Sequence, residues 1–179
     1  MRIFEPKKIL VPIDFSEVSF GVLQAGVDIG RKWDAEVMAL HVARESDHIP
    51  QGVPSVPAYP YASLAMSPLA KFREDARSRL EAQLETMLKQ AGAGPRGRFL
   101  VLWGDPARDI VQMAGSENFD LIVMATHGRR GLNRMFLGSV TEEVIRRAPC
   151  PVFSIRIKGQ GELQVKAEAA AETTATPSA

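Results

Sequence analysis

Apolar and polar positions follow two rhythms along this chain. Four segments are short and apolar: residues 9–13 (ILVPI), 35–42 (AEVMALHV), 98–103 (RFLVLW) and 120–125 (DLIVMA). The first, third and fourth are nearly continuous apolar runs, as expected of parallel strands covered on both faces. Between these runs, apolar residues return every three or four positions, the period of a helix with one buried stripe. Residues 16–32 place Val18, Val22, Ala25 and Ile29 on one face, and residues 67–91 place Leu69, Phe72, Ala76, Leu80, Leu84 and Leu88 there. Residues 105–116 carry Ile110, Met113 and Ala114. Ser67-Pro68 and Asp105-Pro106 each set a capping side chain before a proline suited to the first helical position. Residues 139–142 (SVTE) read as a capping box that opens a further helix.

Strand and helix in alternation predict right-handed crossovers and a Rossmann-like α/β fold, an open five-stranded parallel sheet with helices on both faces. The fifth strand, residues 150–158, alternates, with Phe153, Ile155 and Ile157 on one face and Ser154, Arg156 and Lys158 on the other. Pro149 and Pro151 fit only a sheet edge or a strand start, so the last strand is expected at the edge. An open edge invites pairing with another chain, and a homodimer through residues 150–157 is the corresponding expectation. The domain spans residues 1–157, with no internal repeat. Within it, residues 44–65 hold Pro50, Pro54, Pro57 and Pro60 and form an insertion too long for a plain connector. The insertion leaves the carboxyl end of the second strand, where open α/β sheets bind ligands. Residues 158–179, rich in Ala, Thr and Glu, read as a disordered tail, of which residues 162–172 suit a transient helix.

Composition narrows the function classes. The chain has 179 residues, 45% apolar and 24% charged, with 22 Lys+Arg against 21 Asp+Glu for a net charge of +1. Near-neutrality supplies no global field for nucleic acid or an anionic membrane surface. A domain of this size buries about 70% of the surface its unfolded chain exposes, so it folds without disulfides or a structural metal. One cysteine, Cys150, excludes an intramolecular disulfide and a multi-cysteine zinc site. No stretch reaches the roughly 18 apolar residues of a membrane span or forms a signal-peptide core. The expected location is the cytoplasm.

The chemistry concentrates in residues 125–141 (ATHGRRGLNRMFLGSVT), which leave a buried strand, pass Gly128, Gly131 and Gly138, and enter a helix at Ser139. Glycines let backbone N–H groups approach a ligand closely, and a helix start offers free N–H donors at the positive end of its dipole. Arg129, Arg130 and Arg134 add charge suited to phosphate oxygens, a role that three arginines beside a glycine-rich turn favour over a solvated loop surface. No Gly-Lys-Ser/Thr ending follows and the dinucleotide glycine spacing is absent, so this is neither a Walker loop nor a dinucleotide fingerprint.

These residues resemble the universal stress protein family, whose nucleotide-binding members carry Gly-x2-Gly-x9-Gly-Ser/Thr. Gly128, nine intervening residues and Gly138-Ser139 match the later part, while Ala125 stands where those members have glycine. Residues 10–16 (LVPIDFS) resemble the family's opening strand and turn, residues 148–152 (APCPV) its closing strand, and the likeness covers roughly residues 5 to 157. By position, the resemblance implies that Pro12, Ile13 and Asp14 border adenine and ribose, and that Val42, Met124 and Ala125 contact the base. It implies that Gly128, Gly138, Ser139 and Val140 hold phosphates through backbone amides. The ligand this resemblance implies is ATP or another adenine nucleotide, with Mg2+ accompanying a triphosphate and no metal site of the protein's own.

Plainer roles stand beside these. Asp14 suits a cap of the first helix, alone or with Ser16, and Ser139 a cap of the later one. His127 has no carboxylate or serine placed beside it and reads as a loop residue outside any catalysis; His41 belongs with strand packing and His48 with solvent. Cys150 reads as a small buried apolar residue, and Arg146 and Arg147 as cations suited to a helix end. The leading functional expectation is a homodimeric, ATP-binding regulatory protein of the stress response with an unidentified protein partner. Slow ATP hydrolysis and a dimeric scaffold that no longer binds nucleotide are the alternatives. No water-positioning group is evident beside the glycine loop, which sets catalysis below binding.

Overall fold

A computed structural model describes residues 4–48, 68–126, 138–158 and 162–164. The strands are β1 (Lys8–Pro12), β2 (Glu36–Ala43), β3 (Gly97–Trp103), β4 (Leu121–Ala125), β5 (Val152–Lys158) and β6 (Glu162–Gln164). The helices are α1 (Ser19–Trp33), α2 (Glu45–His48), α3 (Pro68–Gln90), α4 (Pro106–Ser116) and α5 (Ser139–Arg147). The sheet runs β3-β2-β1-β4-β5-β6, and every pairing from β3 through β5 is parallel. The expected five-stranded parallel sheet is therefore present, each strand within two residues of its expected bounds. The chain builds outward from β1 to β3 on one side, then returns beside β1 with β4.

Alternation along the strands divides the core into two layers. Ile9, Val11, Val37, Ala39, Val101, Val123 and Ile155 pack with α1 and α3, whereas Leu10, Leu40, Val42, Ile122 and Met124 pack with α4 and α5. Missing side chains let α1 lie close to the sheet. A Cβ at Gly26 would stand 2.6 Å from a Val11 methyl, and one at Gly21 2.5 Å from the Ile157 Cδ1. Phe153, Ile155 and Ile157 of β5 share the α1 face, as their alternation predicts.

Four expectations shift. α1 begins at Ser19 rather than Ser16, because Asp14 takes the Ser16 N–H and residues 16–18 form a turn instead. Phe72 is 43% exposed despite its place on the apolar stripe of α3. A helix of 23 residues is about 34 Å long against about 23 Å for the seven residues of β3, so α3 overhangs the sheet. β3 is one edge of the sheet, and Phe99 is 37% exposed there, so its apolar run does not mark a strand covered on both faces. At the other edge, β6 pairs antiparallel with Arg156, Ile157 and Lys158, so β5 ends the parallel sheet but not the whole sheet. Those three β6 residues lie inside the stretch expected to be a disordered tail. Ser67 and residues 49–65 of the proline-rich insertion lie outside the described residues, while α2 occupies the insertion's start.

Candidate functional site

β1 and β4 are neighbours in space but not in sequence, and the chain departs from them toward opposite sides of the sheet. This topological switch point leaves a crevice at the strands' carboxyl ends, the general place for ligands in open α/β sheets. Its floor is made from the ends of β1, β2 and β4, and its rim from the β1–α1 turn and the start of α5.

The β1 end is fastened on several sides. Ile13 donates its N–H to the Leu40 carbonyl at 2.8 Å, and its own carbonyl lies 2.7 Å from the Nδ1 of His41 on β2. Asp14 Oδ1 accepts the Ser16 N–H at 3.0 Å and the Ser19 hydroxyl at 2.8 Å. Asp14 thus ties the turn to the first residue of α1, which is more than a helix cap. Phe15 takes a left-handed backbone with φ of 56°, and its ring lies 4.7 Å from that of His41.

The β4 end is joined to α5 by two bonds that the sequence did not single out. Gly138 donates its N–H to the Thr126 carbonyl at 2.8 Å, and the Thr141 hydroxyl donates to the Ala125 carbonyl at 2.9 Å. Thr141 is only 5% exposed. One local signal marks it: it falls three residues before Val144, on the apolar stripe of α5, where a hydroxyl needs a partner. The N-cap of α5 is Gly138, at φ −61° and ψ 141°, and Ser139 is the first helical residue. The capping box expected over residues 139–142 is absent, because Ser139 lies inside the helix and Gly138 has no side chain to cap with. The first amides of α5 consequently receive no cap from their own N-cap residue.

The expected site residues are placed unevenly. Val42 and Met124 lie together in the α4/α5 layer, both largely buried, with Val140 packed against them. Ile13 is buried in the opposite layer, its N–H held by the Leu40 carbonyl and its carbonyl by His41. Pro12 ends β1 half-buried, Asp14 follows it, and Ser139 is exposed at the rim. Ala125 of β4 pairs with Ile155 of β5 and is not among the positive-φ residues, so alanine carries no backbone strain there. Gly128, Arg129, Arg130 and Arg134 lie outside the described residues, as does His127.

Charge near α5 is internally balanced: Arg146 pairs with Glu142 and Arg147 with Glu143, each at 2.6 Å. Among the described residues, no three His, Cys, Asp or Glu side chains gather as a metal site. No helix among them is long and apolar enough to cross a membrane. Cys150 precedes β5 at the far end of the sheet, and burial, then the charge of Asp120, pushes its thiol above the ordinary value. An open groove lined by Phe15, Ser16, Ser19, Phe20, Thr86 and Met87 runs between α1 and α3 and starts at the β1–α1 turn.

Comparison with known proteins adds the following. A family model described as the universal stress protein family matches residues 5–156. Universal stress protein MJ0531 of Methanocaldococcus jannaschii is 34% identical over 150 residues, spanning 84% of this chain and 82% of that protein. Universal stress protein MJ0577 of the same organism is 31% identical over 157 residues, or 85% of this chain and 96% of that one. Its solved structure superposes with a TM-score of 0.69, covering 88% of this chain and all of the other. Solved structures of the same fold include a universal stress protein in complex with cAMP, 18% identical with a TM-score of 0.59 over 85% of this chain and 98% of that chain. Another, from Archaeoglobus fulgidus in complex with dAMP, is 22% identical with a TM-score of 0.53 over 83% and 96%.

Proposed function

This chain belongs to the universal stress protein family, and on that premise we propose that it binds an adenine nucleotide, ATP in the first instance, across the carboxyl ends of β1 and β4. The observation that carries the reading is the start of α5. A helix whose N-cap is Gly138 is tied to the end of β4 by Thr126 and Thr141, which aims its first amides at the switch point. Such a helix start, with its dipole, suits phosphate oxygens. Val42 and Met124 supply apolar surface for a base, and Pro12, Ile13 and Asp14 the opposite wall. Ala125 closes the floor, and Gly138, Ser139 and Val140 hold the phosphates, joined by Gly128, Arg129, Arg130 and Arg134. A magnesium ion belongs with the triphosphate itself, whose oxygens supply its ligands. The two fold relatives bound to cAMP and dAMP fit this reading without carrying it.

We assign ATP a regulatory role, shifting the population of conformations that a protein partner meets. Hydrolysis ranks below binding, because the sequence offers no evident water-positioning carboxylate or glutamine beside the glycine loop. A homodimer through residues 150–157 belongs to the same proposal, and β6, which already pairs with the last three residues of β5, would share that edge or leave it.

Calorimetric titration with ATP and Mg2+, beside Gly138→Asp, tests the reading. The backbone at Gly138 is open to aspartate, which caps helices well, so the variant keeps its fold while setting an anion against the phosphates. Wild type releases heat, and the variant binds at least about tenfold more weakly. A folded, nucleotide-free wild type that stays silent overturns the proposal in favour of the scaffold. Phosphate release that vanishes in Gly138→Asp moves it to an ATPase.

A further inference from the structure

His41 stands on β2 beside Val42 and is buried, 6% exposed. Its Nδ1 lies 2.7 Å from the Ile13 carbonyl. A carbonyl oxygen only accepts, so Nδ1 carries the hydrogen and donates across to the end of β1. The same ring meets Phe15 at 4.7 Å and 54°. Phe15 holds φ of 56°, a conformation that a side-chain-bearing residue keeps only where its surroundings enforce it. Between these contacts stands Asp14, whose Oδ1 reaches forward to Ser16 and Ser19. One imidazole therefore grips the turn on both sides of Asp14, through the backbone before it and the ring after it.

We propose that His41 is a positioning residue for the ligand crevice, holding the turn of Ile13, Asp14 and Phe15 in the geometry that presents Asp14 to a nucleotide. The inference rests on the nucleotide reading for its ligand, but not for the hold on the turn. It differs from core packing in one respect. Packing needs an apolar body of the right volume, whereas positioning needs a donor at the Nδ1 location.

His41→Asn and His41→Leu separate the two. Asparagine places its amide nitrogen as many bonds from Cα as Nδ1, while leucine places a methyl group there, and both lose the ring. His41→Asn keeps ATP affinity within about threefold of wild type, and His41→Leu loses about tenfold or more. Amide hydrogen exchange without nucleotide is the second readout. At Asp14, Phe15 and Ser16 it is faster in His41→Leu than in His41→Asn, with Leu10 and Ile122 unchanged in both. Should His41→Leu fail to fold, His41→Gln, which carries the amide one methylene farther, takes its place with the same expected loss. Equal affinity in the paired variants, or equal exchange at the turn, overturns the proposal. A folded wild type that binds no ATP defeats the nucleotide reading alone, and the exchange comparison then decides whether His41 holds the turn.

Discussion

At the amino ends of β1 and β4, Asp120 Oδ2 accepts the backbone N–H of Lys7 at 2.8 Å and of Lys8 at 2.9 Å. Lys8 Nζ donates to the Glu117 carbonyl at 2.6 Å, and Lys7 Nζ to the Trp33 carbonyl at 3.1 Å. Polar side chains here close the backbone's own hydrogen bonds. At the carboxyl ends of the same strands, side chains do something else. His41, Asp14 and Thr141 fix the positions of a left-handed turn and of a helix start, while the N-cap of that helix, Gly138, contributes no capping group. One end spends its polar groups on the fold, and the other on holding backbone donors toward a crevice. The comparison separates residues whose loss lowers stability alone from residues whose loss also lowers binding.

The largest effect on stability is expected from Asp120→Ala. It strips the acceptor from two backbone amides and lowers unfolding free energy by about 1–2 kcal/mol in urea titration, with ATP affinity unchanged. A parallel loss of affinity would break the division between the ends. Thr141→Val comes next. It keeps the volume, leaves the half-buried Ala125 carbonyl without its hydroxyl donor, and costs about 1 kcal/mol. Unlike Asp120→Ala, it also weakens ATP binding, by about fivefold on titration, because the start of α5 loses one of its two ties to β4. The smallest effect concerns Cys150 at the closed end. Its raised pKa leaves less thiolate at neutral pH, so alkylation by iodoacetamide is slower than for a free thiol and accelerates only at higher pH. Asp120→Ala removes the smaller of the two causes and lowers the pH at which the rate rises.

Features set by neighbours in sequence were the legible ones. Asp105 caps α4 as expected, its carboxylate accepting the Arg108 N–H at 2.9 Å three residues on. His41 is buried in β2, in line with its reading as part of the strand's packing, and the 3.6 period of α4 gives Ile110 and Ala114 to the core. Features set by competition between two local options were misread. Asp14 beside Ser16 offers both a helix cap and a turn, and the turn holds because Ser19 and His41 support it from other elements. Ser139 in a capping-box spacing yields to Gly138 because Thr141 is drawn down to Ala125. Features set across the sheet were not legible. The bond from His41 to Ile13 joins residues 28 apart, and that from Thr141 to Ala125 residues 16 apart, and no periodicity encodes either. The exposure of Phe99 likewise follows from strand order, which the apolar run of β3 does not contain.

The most direct test of the division is amide hydrogen exchange with and without ATP and Mg2+, read residue by residue. The account predicts slower exchange at residues 14–16 and 138–141 on adding nucleotide, with Lys7 and Lys8 unchanged. Protection centred on Lys7 and Lys8, or no change at either end, would contradict it.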